Sequence, residues 1–288
     1  MSERNPAIPP RAITRKQAAA FLKPRPRDSH KGMFGTVAVI GGASGMTGAP
    51  LLAARAALKM GAGCVHVGLL AENAPVVDTM QPELMLHSAS AAMRLRGVDV
   101  LAIGCGLGTS IAAQKLLYEA LKCNAALVLD ADALNLLASH PDLQDDLRNR
   151  KAATVLTPHP GEAAHLLACD TKEIQSDRVA AVRNLSQKFA CGVVLKGVDS
   201  LCATRDGKLF VNKTGNPGMS SAGMGDVLTG MIAAFIAQGI TADNAMLLAV
   251  HLHGAAGDAL AEQGIAVGMT ASDVTEWARW LLNQWMGK

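Results

Sequence analysis

The feature that most constrains the fold is a regular alternation of short apolar segments with longer helical ones. Residues 36–40 (TVAVI) form a β-branched apolar run before a glycine turn, which predicts a buried strand. Residues 50–60 then predict a helix, because proline suits a first helical turn and Gly61 suits the helix end. The alternation predicts an α/β fold with a mostly parallel central sheet covered by helices on both faces. Further strands are predicted at 65–70, 98–103, 126–130, 154–156 and 192–195, and further helices at 111–122 and up to residue 138.

The later part of the chain adds one antiparallel element and a helical end. Residues 200–204 and 208–212 flank the turn Arg205-Asp206-Gly207, which predicts a hairpin. A glycine-rich segment and three predicted helices follow. Since no internal repeat and no linker divides this pattern, we predict a single domain over residues 31–288. Residues 1–30 are polar and proline-rich, with one short helical patch near 16–21, and we expect them to form a solvated, partly mobile leader.

Composition argues against several classes of function. The net charge is only +3 and aromatic residues make up 3% of the chain, so the basic stripe and stacking residues of a nucleic-acid-binding protein are missing. The six cysteines are scattered without a CxxC pair, which argues against zinc-ribbon and thioredoxin-like sites and favours a reducing compartment. No signal-peptide run is visible, and the longest apolar helical segment, 227–237, is too short to span a bilayer. We therefore expect a cytoplasmic protein without a nucleic-acid or membrane partner.

Glycine or charge stands at the end of five predicted strands. Ligands bind at the carboxyl ends of the strands in open α/β sheets, so these residues predict the position of a site. They are 41–48, 104–108, Asp130 with Asp132, 157–162 and 196–197. The first glycine loop lacks both the lysine of a Walker loop and the spacing of a Rossmann loop. Two interpretations of this loop are therefore equally open: a tight structural turn, or a close approach of the backbone to a ligand. The same two stay open for Gly106 and Gly108.

The segment 215–230 (GNPGMSSAGMGDVLTG) carries the strongest functional signal. Its glycines open a helix, and the unpaired amides and the dipole of a helix start attract phosphate. Gly223 and Gly225 leave room for such a group. Asp226 in the first turn would repel a phosphate, so it is either a simple cap or a general base that takes a proton from an attacking hydroxyl. We favour the base, and predict an enzyme that binds a nucleoside di- or triphosphate and transfers a phosphoryl group.

Four segments resemble the ADP/ATP-dependent NAD(P)H-hydrate dehydratases of the ribokinase-like superfamily: VIGGASGMTGAPLLAARAALKMGAG, LTPHPGEAAHLL, VVLKGVDSL and GNPGMSSAGMGDVLTG. The resemblance runs from about Lys31 to the C-terminus, with Met224 where the family has threonine or serine. It implies a ribokinase-like three-layer sandwich and the repair of damaged nicotinamide cofactor. In that reaction (S)-NADHX or NADPHX, hydrated at C6 of the reduced ring, is phosphorylated on the C6 hydroxyl and then loses phosphate. The resemblance favours ADP over ATP as co-substrate, with AMP and phosphate as products.

The same resemblance implies roles for individual residues. Asp226 would contact the substrate and deprotonate its hydroxyl, while the amides of residues 222–225, Gly223 and Gly225 among them, would hold the transferred phosphoryl group. Glu162 would help to place Mg²⁺ through water. A strand-end surface lysine and a structural loop histidine are the simpler alternatives for Lys196 and His159. The implied nucleotide contacts are Lys196, Gly197, Val198, Asp199, Ser200 and Gly225, and the implied substrate contacts are Ala49, Gly106, Gly108 and His159.

Two other functions stay open. A small-molecule kinase of the vitamin or thiazole type would share Asp226 but need not carry the TPHPGE loop at 157–162. A nucleotide-binding protein without catalysis would have no use for the charge of Asp226. The resemblance further implies a homotetramer and a functional pairing with an NAD(P)H-hydrate epimerase. Bifunctional family members carry this epimerase as a separate domain. We expect no room for such a domain in this chain.

The remaining histidines suggest no metal site. His251 and His253 are two residues apart, so on a helix they point to different faces. No partner spacing is visible for His66, His87, His140 and His165.

Overall fold

A ten-stranded sheet forms the centre of the computed structural model, which describes residues 9–287. Its strands are β1 (Arg11–Ala12), β2 (Thr36–Gly41), β3 (Cys64–Leu69), β4 (Met85–Ser88), β5 (Val100–Ile103), β6 (Ala126–Leu129), β7 (Thr154–Leu156), β8 (Gly192–Leu195), β9 (Leu201–Ala203) and β10 (Leu209–Val211). The helices are α1 (Arg15–Ala19), α2 (Gly48–Lys59), α3 (Ala89–Ala92), α4 (Ile111–Lys122), α5 (Asp132–Ser139), α6 (Pro141–Asn149), α7 (Pro160–Leu167), α8 (Thr171–Ser176), α9 (Arg178–Phe189), α10 (Met224–Ala237), α11 (Ala242–Glu262) and α12 (Ala271–Met286).

Most neighbouring strands in this sheet run parallel. The strand order is β1-β10-β9-β8-β7-β6-β5-β2-β3-β4, and only the β8-β9 and β9-β10 pairs are antiparallel. The second of these pairs is the predicted hairpin. The parallel pairs align the carboxyl ends of β2, β5, β6, β7 and β8 along one edge of the sheet. The predicted mostly parallel sheet with helices on both faces is confirmed.

Alternate side chains of the central strands enter two separate apolar layers. In β2, Val37 and Val39 pack in the layer that contains α2, α10, α11 and α12, whereas Ala38 and Ile40 pack in the layer of α4, α5, α7 and α9. All four side chains are fully buried. Because side chains alternate across a strand, burial on both faces requires a continuous apolar run, which residues 36–40 supply.

Part of the N-terminal segment contacts the domain, where the sequence predicts a solvated leader, although residues 23–28 and 30–33 are exposed. Strand β1 pairs in parallel with β10, and the Ile13 amide donates to the Val211 carbonyl (2.9 Å). Ile13 and Ala18 are buried, and the Arg25 guanidinium donates to the Gly61 carbonyl (2.5 Å) and to Gln238 Oε1 (3.2 Å). A two-residue edge strand and a five-residue helix need very few apolar side chains. So few apolar side chains give no recognisable pattern among the polar and proline residues of this segment. Residues 1–8 of the predicted leader lie outside the described residues.

Gly230 sets how closely α10 approaches α2. A Cβ at this position would overlap the carbonyl oxygen of Ala53 on α2, so alanine must push the helices apart. We expect Gly230→Ala to lower the free energy of unfolding by about 1–3 kcal/mol in urea denaturation, through overpacking. Gly48→Ala at the start of α2, where a Cβ meets nothing within 4 Å, is the matched control and should be nearly neutral. Equal stabilities of the two variants would contradict the close packing.

The described chain contains neither a membrane-crossing helix nor a disulfide. Among residues 9–287, no helix combines the length and the apolar character needed to cross a bilayer. The six cysteines are all free thiols, and Cys105, Cys191 and Cys202 are buried, where cysteine behaves as a small core residue.

Candidate active site

Hydrogen bonds between loops join the carboxyl ends of the central strands into one surface. The Ala43 amide donates to the Gly106 carbonyl (2.7 Å), which links the loop after β2 to the loop after β5. The Lys196 amide donates to the Pro158 carbonyl (2.9 Å), which links the end of β8 to the loop after β7. The predicted strand-end residues are therefore brought together, although they come from distant parts of the chain.

The two glycine loops approach each other too closely for side chains. Gly106 has φ +58, and a Cβ there would lie 2.7 Å from the Met46 carbonyl oxygen and 3.2 Å from the Ala49 Cβ. Gly108 has φ +71, and its amide donates to Asp132 Oδ2 (2.8 Å). The backbone conformation at both positions therefore explains by itself why glycine is present there. Contact of Ala49, Gly106 and Gly108 with a ligand stays a prediction.

Helix α10 begins directly after a glycine in the left-handed region. Gly223 has φ +89, and a Cβ there would come within 2.6 Å of Leu52 Cδ1, so glycine alone fits. Asp226 lies in the first turn, and one of its oxygens is within 4.8 Å of Cys105 Sγ and of an Asp130 oxygen. The carboxylate therefore faces the strand ends. In the described part of the chain it accepts no hydrogen bond from its own helix, which argues against the capping role.

A buried ion pair lies beneath this helix start. Lys196 Nζ donates to Asp130 Oδ1 (2.6 Å) and is 3.9 Å from Glu162 Oε2. The second oxygen of Asp130 accepts a hydrogen bond from Thr229 Oγ1 on α10 (2.9 Å). Burial alone would raise the pKa of Asp130, but the Lys196 ammonium and the hydroxyls of Thr229 and Thr157 hold it below its ordinary value. The pair is therefore charged at neutral pH.

Asp226 has an unusually basic carboxylate. Burial, and then the negative charge of Asp130, raise its pKa to about 6, against the lowering effects of a Cys105 hydrogen bond and the Lys196 charge. Burial also raises the pKa of the Cys105 thiol well above its ordinary value, so this side chain stays protonated and donates. A carboxylate with a pKa of about 6 is ionised at neutral pH yet accepts a proton more readily than an ordinary aspartate.

Cys105, Asp130 and Asp226 are close enough together to resemble a metal site. Their ligand atoms all lie within 4.8 Å of one another. The Lys196 ammonium, 2.6 Å from Asp130, already supplies the positive charge at this point. We therefore assign no metal to these three residues.

His159 and Glu162 form a capping box at the start of α7. Nδ1 of His159 accepts hydrogen bonds from the Gly161 and Glu162 amides (2.9 and 3.3 Å), which leaves the imidazole proton on Nε2. Glu162 Oε2 accepts from the His159 amide (2.7 Å), and Oε1 is 3.3 Å from His159 Nε2. Burial lowers the pKa of His159 and raises that of Glu162 to about 7. The capping contacts give His159 a structural role, while its side chain, 56% exposed, remains free to meet a ligand.

A cavity of about 420 Å³ opens beside α10, within the size range of small-molecule sites. Lys196, Gly197, Val198, Asp199 and Ser200, the residues predicted to contact a nucleotide, line one wall. Gly225 lines the same cavity, so the cavity reaches the first turn of α10. His159, Glu162 and Asp226 do not line it. The Lys196–Asp130 pair connects these side chains to the cavity.

Arg178 holds the turn that carries the predicted nucleotide residues. Its guanidinium donates to the carbonyls of Leu195 (3.2 Å), Lys196 (3.1 Å) and Val198. Asp199 within this turn has φ +53 and pairs with Lys213. Sequence reasoning missed Arg178, because a single arginine at the start of a helix carries no signal of a contact with a strand end.

Three other residues of the site were missed or undervalued. The sequence marks Cys105 and Asp130 only as strand-end residues without a role, and it gives no signal for Thr229. Their contacts with Asp226 and Lys196 depend on which strands are neighbours, which the sequence pattern does not show.

The other histidines of the described chain bring one correction. His66 Nδ1 and His87 Nε2 lie 3.0 Å apart on the neighbouring strands β3 and β4, although no partner was expected for either. Strand β4 is a half-exposed edge strand without an apolar run, so it was not predicted. Of the two histidines on α11, His251 has Nδ1 3.2 Å from Asn212 Oδ1, whereas His253 lines the cavity beside α10, which the sequence does not predict.

Known proteins similar to this chain are named as NAD(P)H-hydrate dehydratases and repair enzymes. A family model described as NAD(P)H-hydrate dehydratase matches residues 37–279. The chain is 44% identical over 267 residues to the ADP-dependent (S)-NAD(P)H-hydrate dehydratase of Neisseria meningitidis serogroup B, covering 91% of this chain and 90% of that protein. It is 41% identical to the bifunctional NAD(P)H-hydrate repair enzyme Nnr of Coxiella burnetii, covering 95% of this chain and 55% of that enzyme, so it spans about half the length of that bifunctional relative.

Among solved structures, the fold matches that of the ADP/ATP-dependent NAD(P)H-hydrate dehydratase of Bacillus subtilis co-crystallized with ATP/Mg²⁺. The TM-score is 0.87 at 29% identity, covering 97% of this chain and 100% of that chain. The expected ribokinase-like three-layer sandwich is thereby confirmed. From the family model, the identity over nearly the whole chain and the shared fold, we conclude that this chain belongs to the NAD(P)H-hydrate dehydratase family.

Proposed function

We propose that this chain repairs hydrated nicotinamide cofactors, converting (S)-NADHX or NADPHX to NADH or NADPH with consumption of ADP and release of AMP and phosphate. The 44% identity to an ADP-dependent relative supports both the substrate class and the nucleotide. The observation that carries the chemistry is the place of Asp226. It is a basic carboxylate in the first turn of α10, next to Gly225 in the wall of the cavity.

In the proposed first step, Asp226 accepts the proton of the C6 hydroxyl as its oxygen attacks the terminal phosphorus of ADP. The bond from that phosphorus to the bridging oxygen breaks, and AMP leaves with the electron pair. The amides that begin α10, together with the Lys196 ammonium, would stabilise the charge that develops on the phosphoryl oxygens. In the second step the C6–oxygen bond breaks, phosphate leaves with its electrons, and loss of a proton from C5 restores the ring double bond.

Mg²⁺ is proposed as the companion of the nucleotide, held mainly by its phosphates. Glu162 fits a water-mediated contact to such an ion, because Oε1 has only the loose 3.3 Å contact with His159. Lys196 Nζ at 3.9 Å makes direct coordination by Glu162 unfavourable. The ion, when bound, would neutralise phosphate charge. The ATP/Mg²⁺ complex of the Bacillus subtilis relative supports this assignment.

The other parts of the proposal concern partners. The chain matches about half of a bifunctional repair enzyme, which supports a functional pairing with a second repair activity, proposed here to be the epimerase. A homotetramer and a cytoplasmic location stay predictions from the sequence. Light scattering of the purified protein measures the first directly.

The direct test is recovery of the reduced-nicotinamide absorbance. Purified protein is mixed with hydrated NADH, Mg²⁺ and either ADP or ATP. We expect recovery with ADP, with one AMP and one phosphate formed per NADH. Accumulation of a phosphorylated alcohol without recovery would instead identify a small-molecule kinase. Nucleotide binding without any product would identify a non-catalytic binder.

The basic carboxylate of Asp226 predicts the pH dependence of turnover. Only the ionised form can accept the hydroxyl proton, so kcat/KM for hydrated NADH should fall on acidification, with a midpoint near the pKa of about 6. Initial rates over a pH series measure this. A rate that stays constant well below that midpoint would contradict the assignment of Asp226 as the base.

A further inference from the structure

Asp130 has no assigned role, yet it is the most constrained charged group of the site. Its side chain is 2% exposed at the end of the central strand β6. One oxygen accepts from Lys196 Nζ at the end of β8 (2.6 Å), and the other accepts from Thr229 on α10 (2.9 Å). Thr229 is three residues beyond Asp226 and fully buried. A single carboxylate therefore joins two strands to the helix that carries Asp226.

The ion pair also lies directly against the first turn of α10. A Cβ at Gly225 would be 3.2 Å from Lys196 Nζ and 3.5 Å from Asp130 Oδ2. Because Gly225 has no side chain, nothing separates the ammonium group from the backbone that is proposed to bind the transferred phosphoryl group. The position of this positive charge is set by Asp130, since Glu162, the other acid in ion-pair range of Lys196, is 3.9 Å away.

We propose that Asp130 is a positioning residue for this reaction, which fixes the Lys196 ammonium group against the first turn of α10 and holds a buried negative charge beside Asp226. The inference rests on the proposed function. Asp130 acts through its two neighbours and does not itself touch the substrate.

Four groups face the Asp226 carboxylate, each from a different element. They are Cys105 after β5, Asp130 after β6, Asp132 in α5 and Lys196 after β8. Asp130 and Asp132 raise the pKa of Asp226, while Cys105 and Lys196 lower it. Replacing Asp130 by asparagine removes a raising charge and leaves the lowering charge of Lys196 in place. The pKa of Asp226 should then fall below its value of about 6.

The test compares Asp130→Asn with the wild type by two measurements. The first is an NMR titration of the Asp226 carboxyl carbon in the protein without nucleotide. The second is the pH profile of turnover. We expect the midpoint of Asp226 to fall by on the order of one pH unit. The acid limb of the rate profile should move with it. The Lys196 ammonium stays near Asp226 but loses the hydrogen bond that fixes its Nζ, so kcat should drop on the order of 10²-fold.

Thr229→Val is the matched control, because it removes the other hydrogen bond of Asp130 without changing any charge. Its Asp226 midpoint should stay at the wild-type value. If Asp130→Asn does not fold, Asp130→Glu is the second variant. It keeps both charges beside Asp226 but changes where the Lys196 Nζ is held, so kcat should fall while the Asp226 midpoint stays at about 6. An unchanged midpoint and wild-type kcat in Asp130→Asn, or wild-type kcat in Asp130→Glu, would overturn the inference. Failure of the proposed function can be told apart from failure of this inference. In the first case the wild type shows no turnover, while the titration still reports on Asp226.

Discussion

The Asp226→Asn variant is expected to turn over hydrated NADH on the order of 10²–10⁴-fold more slowly than the wild type. Asparagine keeps the shape of the side chain but cannot accept the hydroxyl proton. ADP affinity should change little, because the cavity wall formed by residues 196–200 is untouched. Steady-state kinetics with product analysis, together with calorimetric titration of ADP, measure the two effects separately.

Stability gives an independent check on the same variant. The pKa of Asp226 is raised in the folded protein from its ordinary 3.8 to about 6, so folding favours the protonated form. The stabilisation that comes from protonated Asp226 is complete below a pH of 3.8 and is lost as the pH rises through about 6. Above that pH, Asp226→Asn should therefore be at least as stable as the wild type. Asp142→Asn, an exposed first-turn acid of α6, is the matched control and should keep full turnover. A less stable Asp226→Asn variant with normal turnover would restore the capping interpretation.

Replacing Lys196 by methionine should damage both stability and turnover. The change leaves Asp130 as a buried charge without its partner, and breaking a buried ion pair in this way costs about 3–5 kcal/mol of unfolding free energy. The loss of a preorganised positive charge beside the phosphoryl group should lower kcat on the order of 10²–10³-fold. Urea denaturation and steady-state kinetics measure the two losses.

The double variant Lys196→Met with Asp130→Asn separates the two effects. Removing both charges should restore most of the stability but none of the turnover. Lys213→Met is the stability control, because its pair with Asp199 is exposed and worth only about 0–1 kcal/mol. Recovery of turnover in the double variant would show that Lys196 serves only to neutralise Asp130.

The local elements of the fold were predictable because each has its own signal in the chain. Helix α4 was predicted at its observed bounds, Ile111–Lys122, where the hydroxyl of Ser110 caps its first turn. Strand β7 shows the same agreement, as a short apolar run between turn residues. Elements without such a signal were missed, as with the two-residue edge strand β1 and the half-exposed strand β4.

The sequence indicates where the candidate site lies, but not how its residues are connected. Glycine loops and strand-end charges mark a site because parallel strands align their carboxyl ends. The Lys196–Asp130 pair joins residues 66 positions apart, and the hydrogen bond between Thr229 and Asp130 joins residues 99 positions apart. Such contacts follow from strand order and from the approach of α10 to the sheet. Neither the strand order nor this helix approach has a local signal in the sequence, because each depends on the complete fold.

The measurement that tests the central claim most directly follows the oxygen of the substrate hydroxyl. Hydrated NADH is prepared with isotopically heavy oxygen at C6 and converted by the enzyme with unlabelled ADP. If the hydroxyl oxygen attacks phosphorus before it leaves, the heavy oxygen must appear in the released phosphate, in an amount equal to the NADH formed. Release of the label into water, with unlabelled phosphate, would contradict phosphorylation of the substrate and with it the role given to Asp226.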